Sequence, residues 1–302
     1  MYPSSAGGDN YSFRVVRGDK EYQGDINIPS TEWYIYKRYY VHEISSYAFK
    51  ECTSLTSVNI PNSIETIPKE AFLGCTSLKS INIPYSIKTI QKDAFKGCTS
   101  LTNVIIPQSV TAIGFSVFSG CSSLTYIDIP NSVRTIGQGT FSDCTSLTSI
   151  DIPNSVTTLE WCIFSNCSSL TSVDIPNSVT TIEESVFSNC SSLISINVPN
   201  SVTTLGNDTF SNCSSLTSID IPNSVTTIGW GVFSNCSSLT SIDIPNSVTV
   251  IGSSCFEGCS NLKKITLSKN LKSINNNTFL NCSKLESLTI PGSVESIGSY
   301  MN

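Results

Sequence analysis

The sequence predicts a solenoid of the α/β class, in which 23-residue rungs stack through a parallel β-sheet and are mostly β, with short helical or 3-10 turns. Three observations predict it. Eleven of the thirteen cysteines recur every 23 residues, a Leu follows each of them after three residues, and a Phe stands twenty residues after each one that begins a complete unit. A fixed period of this length is typical of repeat proteins, whose units bury their apolar faces only against their neighbours.

The first half of each rung has the pattern L-x-x-I-x-I, which is the strand signature of leucine-rich repeats. Pro follows this strand in ten of eleven rungs and ends it, because Pro has no N–H to donate to a ladder. The P-N-S that follows is typical of a turn. The next segment, V-T-T-I, is rich in β-formers, and we expect it to form a second ladder.

A short corner closes each rung, with four variable residues, the Phe, and a Gly, Asn, Asp or Glu just before the next Cys. Gly and Asn tolerate the left-handed backbone that ends a helical turn. We therefore expect a left-handed residue at one position of each corner: Gly74, Gly97, Gly120, Asn166, Asn189, Asn212, Asn235, Gly258 and Asn281.

The cysteines predict a structural column rather than a metal site or disulfides. There is one per rung, and the only close pairs, Cys162–Cys167 and Cys255–Cys259, have no histidine nearby. A small buried thiol in each rung fits this spacing. We expect no metal site and no cofactor, apart from the calcium considered below.

Composition limits the partners. The formal charge of −6 argues against nucleic acid, which needs a basic footprint. No apolar run reaches the roughly 18 residues of a spanning helix, so we expect no membrane insertion. The first 25 residues lack the apolar core of a secretory signal, which leaves a cytoplasmic location open.

Two regions are predicted. Residues 1–48 form an N-terminal cap with an atypical first repeat, and residues 49–302 form an array of about 11 rungs, the last one incomplete. Within the cap, YSFRVVRGDKEYQ alternates as a hairpin does, with Gly18 and Asp19 at its bend.

The unit C-x-x-L-x-x-I-x-I-P-x-x-V-x-x-I-G-x-x-x-F resembles the BspA-like, or Treponema pallidum-type, leucine-rich repeats over residues 26–302. The resemblance implies surface or secreted proteins of mucosal bacteria and protist parasites that attach to host cells and to matrix proteins such as fibronectin and fibrinogen. This sequence departs from the pattern at Ser268, which replaces Pro, and at five positions that replace Gly and call the local turn geometry into question: Pro68, Gln91, Glu160, Glu183 and Asn275.

The variable corner is the first candidate contact surface. Its middle column tolerates both Lys and Glu, which indicates a solvent-facing position, yet it also carries Phe115, Trp161 and Trp230. Exposed aromatic side chains are typical of protein and glycan contacts. The alternative is that these rings lie flat over neighbouring rungs and only thicken the core.

The strand face is the second candidate. It carries one acidic residue in most rungs from residue 128 to residue 243: Asp128, Asp151, Asp174, Asp220 and Asp243. No basic residue occurs between Arg134 and Lys263, a stretch that contains the last four of them. Unpaired carboxylates attract a cation or a basic ligand, and Ca²⁺ is the natural ion because it prefers oxygen ligands. The alternative is a solvated acidic face with no ligand.

The tripeptide Arg17-Gly18-Asp19 is an integrin-type motif at the expected bend, although it also arises by chance. Nothing indicates catalysis, because the single histidine, His42, has no Ser or Cys nucleophile pattern around it.

The sequence thus favours a non-enzymatic binding or adhesion protein at the cell surface or outside the cell, with a protein or glycan ligand such as an extracellular matrix protein. One alternative is a structural spacer or assembly element with no dedicated ligand. Another is an intracellular signalling scaffold. The sequence leaves the oligomeric state undetermined.

Overall fold

In the computed structural model, which describes residues 2–4 and 12–300, the chain divides into two compact units, Met1–Thr145 and Ser146–Asn302. We refer to them as the first and the second unit. Residues 1 and 5–11 of the predicted cap, and residues 301–302 of the predicted array, lie outside the described residues.

The first unit begins with five strands: β1 (Tyr2–Ser4), β2 (Ser12–Val15), β3 (Gly24–Asn27), β4 (Thr31–Tyr34) and β5 (Lys37–Ile44). Four of them form a mixed sheet in the order β1-β2-β5-β4, in which only the β2–β5 pair is parallel. The predicted hairpin around Gly18 and Asp19 is wrong, since β3 leaves this sheet and pairs with a later strand. Residues 26–29, INIP, match the end of the repeat strand, so β3 pairs with β6 in the solenoid ladder.

The repeats of the first unit build two parallel ladders. The strands are β6 (Leu55–Asn59), β7 (Thr66–Ile67), β8 (Ser80–Asn82), β9 (Thr89–Ile90), β10 (Ala112–Ile113) and β11 (Thr135–Ile136). One ladder has the order β3-β6-β8 and the other the order β7-β9-β10-β11. The second ladder confirms the prediction for the V-T-T-I segment. Thr66 pairs with Thr89, so equivalent residues of successive rungs face each other.

The second unit repeats this plan. Its strands are β12 (Ser149–Asp151), β13 (Thr158–Leu159), β14 (Ser172–Asp174), β15 (Thr181–Ile182), β16 (Thr204–Leu205), β17 (Thr227–Ile228), β18 (Ser241–Asp243), β19 (Val250–Ile251), β20 (Lys264–Thr266), β21 (Ser273–Ile274) and β22 (Ser296–Ile297). The longest ladder is β13-β15-β16-β17-β19, and β12–β14, β18–β20 and β21–β22 form further parallel pairs. The solenoid class predicted from the repeat is therefore confirmed.

Phenylalanine rings form the centre of the core in each unit. Neighbouring rings stack nearly parallel, from Phe49 on Phe72 at 4.9 Å between centroids in the first unit to Phe256 on Phe279 at 5.7 Å in the second. The repeat Leu residues, such as Leu78 and Leu216, are fully buried beside them. Because each ring removes a large apolar area from water, this column is a main source of stability.

The repeat cysteines form a second column within the core. In both units a thiol donates a hydrogen bond to the carbonyl of the Phe 26 residues earlier, as Cys75 does to Phe49 at 3.0 Å and Cys213 does to Phe187 at 3.2 Å. All thirteen cysteines are thiols rather than disulfides. The column therefore joins successive rungs by non-covalent bonds.

The corner before each Cys has the expected left-handed backbone. All nine Gly and Asn residues predicted for this position have positive φ, for example 72° at Gly97 and 60° at Asn212. The helical or 3-10 turns expected from the sequence are hydrogen-bonded turns in the structure. Single hydrogen bonds between residues three apart close these corners, as from Cys213 N–H to Phe210, and no residue in the described part of the chain lies in a helix.

The buried thiols give the fold a dependence on alkaline pH. Burial raises the pKa of Cys75 and of Cys213 to about 12, whereas a thiol in the unfolded chain ionises near a pKa of about 8.5. Below the pKa of the unfolded chain, the thiols are protonated in both states and the protein keeps its full stability. Above that pKa only the unfolded chain loses its thiol protons, so the free energy of unfolding falls as the pH rises.

We therefore expect the urea midpoint of unfolding to fall as the pH rises above about 8.5, the ordinary pKa of a thiol. The measurement is urea unfolding followed by circular dichroism across the alkaline range. The Cys190→Ala, Cys213→Ala variant is the control and should show a weaker fall. An identical fall in both proteins would assign the effect to other groups.

Candidate functional site

The variable corner exposes most of its middle column in both units, although Lys69 and Asn207 are half-buried, and we call this column the ridge. It consists of Lys69, Lys92, Phe115, Gln138, Trp161, Glu184, Asn207, Trp230 and Ser253. Phe115 in the first unit is 54% exposed, and Trp161 and Trp230 in the second are 48% and 51% exposed. About half of the surface of each residue is therefore accessible to water, and the ring of Phe115 also lies close to Gly137 of the next rung.

Polar contacts hold the ridge of the second unit in place. The indole N–H of Trp161 donates to Oε2 of Glu183 at 2.9 Å. Asn207 donates from Nδ2 to Glu184 at 3.0 Å and accepts from the backbone N–H of Trp230 at 3.1 Å. The first bond places the Glu183 carboxylate beside the Trp161 indole, and Asn207 links the Glu184 carboxylate to the backbone of Trp230.

These carboxylates have no basic neighbour in sequence, since none occurs between Arg134 and Lys263. Burial, and then the charge of Glu184, raise the pKa of Asp208 above its ordinary value. The ridge of the second unit is therefore an aromatic surface with an excess of negative charge. Such a surface attracts cationic groups both by Coulomb attraction and through the ring faces.

A second left-handed position follows the ridge and escaped the sequence analysis. The residue after each ridge position has positive φ, including 56° at Cys162, 56° at Ser185 and 52° at Asp208. The turn is retained where Glu160 and Glu183 replace Gly, so these departures leave the corner geometry intact. The signal in the sequence was weak, because Glu, Asp, Ser, Cys, Gly and Asn all occupy this column.

The predicted strand-face carboxylates are exposed in both units. Asp151 and Asp174 lie opposite each other in register, whereas Asp220 faces Asn197 and Asp243 faces Thr266. In the first unit Asp128 faces Ile105. The column is thus interrupted by neutral residues. None of the ion pairs found among the described residues involves these aspartates.

The integrin-type motif lies on the surface. Arg17, Gly18 and Asp19 are exposed in the segment between β2 and β3, with a bend at Asp19. Tyr22 follows and packs its ring on Phe49 at 4.8 Å between centroids, which anchors the end of this segment.

An aromatic hairpin formed by β4 and β5 is a surface that the sequence analysis did not assign. Trp33 is 69% exposed, Ile35 69% and Tyr36 98%. Ile35 and Tyr36 form the turn with φ of 46° and 63°, a conformation that favours Asn and Gly and strains branched or bulky residues. The signal that could have found it was the run WYIYKRYY, which interrupts the repeat at residues 33–40.

No arrangement for metal binding or nucleophilic catalysis is found in the part of the chain described. Among these residues no three His, Cys, Asp or Glu side chains come together as metal ligands. His42 Nδ1 lies 3.1 Å from the carbonyl of Phe13, and burial holds thiols such as Cys121 protonated by raising the pKa well above its usual range. No described helix has the length and hydrophobicity needed to cross a bilayer.

Stacked rungs in parallel register, with a Leu, Phe and Cys column in each unit, define the class of leucine-rich-repeat solenoids. The chain belongs to the BspA-type leucine-rich repeat family, whose model matches residues 42–160, 113–237 and 190–301. Solenoids of this family are typically non-enzymatic. No protein with a curated description matches the chain.

Solved structures of bacterial proteins are similar to this one. A leucine-rich repeat protein from Bacteroides ovatus is 28% identical over 99% of this chain and 88% of its own, with a TM-score of 0.72. A leucine-rich cell surface protein from Faecalibacterium prausnitzii is 27% identical over 99% and 95%, with a TM-score of 0.58. The Treponema pallidum leucine-rich repeat protein is 32% identical over 64% and 87%, with a TM-score of 0.57.

The strained turn of the aromatic hairpin gives a direct prediction. Replacing Ile35 by Asn and Tyr36 by Gly should raise the free energy of unfolding, because left-handed strain costs about 1–3 kcal/mol per residue. Urea unfolding measures the change, and hydrogen exchange of β4 and β5 localises it. The Ile35→Ala, Tyr36→Ala variant is the matched control, since it removes the same side chains but keeps the strain. Equal stability of the two variants would contradict the explanation.

Proposed function

We propose that the protein is a non-enzymatic binding or adhesion protein, at the cell surface or secreted, that recognises a partner protein or glycan through its solenoid surface. The observation that carries the proposal is the pair of half-exposed tryptophans on the ridge, Trp161 and Trp230. A hydrogen bond to Glu183 holds the indole of Trp161 in place. Exposed Trp side chains are enriched at binding hot spots.

Charge supports the same surface. Glu184 on the ridge, its neighbour Glu183 and the strand-face aspartates of the second unit lie in a stretch without basic residues. Such a surface favours a ligand with cationic groups, and Ca²⁺ is a second candidate for the strand face. The similarity to a leucine-rich cell surface protein supports the location.

The proposal is tested by solid-phase binding to fibronectin, fibrinogen, mucin and a glycan panel, with and without Ca²⁺. The Trp161→Ala, Trp230→Ala variant should lose at least about thirtyfold in affinity, since truncation of a hot-spot residue costs about 2 kcal/mol or more. Tyr85→Ala is the control because Tyr85 is 75% exposed but lies outside the ridge. Thermal unfolding should be unchanged in both variants.

A structural spacer is the second candidate, favoured by Ile290 and Ile297, which are 45% and 53% exposed in the second unit. A domain or copy stacked on this face would bury them. If the wild type binds none of the panel, and Ile290→Ser with Ile297→Ser abolishes self-association, the spacer replaces the adhesin.

A further inference from the structure

A polar groove lies on the strand face of the first unit, across β3, β6 and β8. Its volume is about 340 Å³, and its lining includes Asp25, Asn27, Asn59, Ser80 and Asn82. No Lys, Arg or His side chain lines it. The groove therefore offers no positive side chain to an anionic ligand.

Three amides form a hydrogen-bonded ladder along the groove. Asn59 Nδ2 donates to Asn27 Oδ1 at 2.7 Å, and Asn82 Nδ2 donates to Asn59 Oδ1 at 3.2 Å. All three side chains are exposed. Because each amide has two N–H groups and two lone pairs, the ladder leaves a further N–H and a further lone pair on Asn59 for a ligand.

A fixed carboxylate stands beside this ladder. Ser57 and Thr56 both donate to Oδ1 of Asp25, at 2.6 and 2.8 Å. The hydrogen bond from Ser57, and then that from Thr56, hold the pKa of Asp25 below its ordinary value. Asp25 is thus ionised at neutral pH, and Oδ2 takes no part in these two bonds. It is placed to accept from a ligand hydroxyl.

In the rungs that follow, exposed apolar side chains occupy the strand positions equivalent to Asn82 and Ser80. Ile105 stands 23 residues after Asn82 and is 73% exposed, and Tyr126 stands 46 residues after Ser80 and is 44% exposed. Exposed aliphatic and aromatic groups beside hydrogen-bonding amides are suited to the C–H faces of a ring that also carries hydroxyls.

The backbone of the groove is not open to an added peptide strand. β6 pairs with β3 on one side and with β8 on the other, so its N–H and C=O groups are used in the ladder. A peptide would have to bind through side-chain contacts alone, without the main-chain bonds that give strand addition its affinity. A sugar hydroxyl both donates and accepts, so it can bridge the free N–H and lone pair of neighbouring amides.

We propose that this groove is a binding site for a neutral saccharide, held by the Asn27–Asn59–Asn82 ladder and by Asp25. The site lies in the first unit and does not depend on Trp161 or Trp230. It makes the glycan part of the proposed function specific, at a second site that is independent of any ligand on the ridge.

The experiment is saturation-transfer NMR followed by calorimetry of the full chain with cello-, malto-, xylo- and manno-hexaose. At least one should bind saturably, with an affinity that changes little with salt because the ligand is uncharged. Asn59→Ala and Asn82→Ala should each weaken binding about tenfold, which corresponds to about 1.4 kcal/mol for a lost hydrogen bond in the ligand site.

Asn197→Ala is the matched control, because Asn197 occupies the equivalent strand position in the second unit and faces Asp220. It should bind as the wild type does, and circular dichroism should show all three variants folded. Binding that is lost only in the Trp161→Ala, Trp230→Ala variant would overturn the groove and support the ridge. Absence of binding to every neutral hexasaccharide, or binding only to heparin or to a Ser/Thr-rich peptide, would also overturn it.

Discussion

The 23-residue register between parallel rungs is the constraint on which the rest of this structure depends. It brings each Phe ring onto the next, as Phe187 onto Phe210, and each thiol to a Phe carbonyl, as Cys213 to Phe187. An inserted residue would misplace the ring, the thiol and two backbone ladders at once. The internal columns are consequently almost invariant along the chain, because every rung must match its two neighbours.

Residue identity varies at positions whose side chains point away from the core and its backbone ladders. The ridge alternates between charged, neutral and aromatic residues within one backbone geometry, since the left-handed residue that follows it holds the turn in every rung. The strand face varies in the same way, with amides at Asn59 and Asn82 in the first unit and carboxylates at Asp151 and Asp174 in the second. The same strand column thus carries amides in some rungs and carboxylates in others, Asp128 and Asn197 included.

The stacking of identical rungs places equivalent side chains next to each other, which affects how the surface can recognise a ligand. Equivalent side chains form rows, so a row of amides becomes a hydrogen-bonded ladder and a row of carboxylates becomes a strip of unbalanced charge. The aromatic hairpin of β4 and β5 is different, because it lies outside the repeat and exposes Trp33 and Tyr36 on a strained turn. Strain of this kind persists where the surrounding structure holds it, and it is often associated with function.

The sequence by itself determined the solenoid class, the family, the buried columns and the left-handed position before each Cys, because all of these follow from a period that the residues display directly. It also identified which ridge residues are aromatic. Only the tertiary structure decided that Trp161 and Trp230 are half exposed, that Asp25 is held by Ser57 and Thr56, and that β2 and β3 separate into different sheets. The reason is physical: a period specifies which residues stack, whereas exposure, side-chain hydrogen bonds and the pairing of non-repeat strands depend on contacts between residues far apart in the chain.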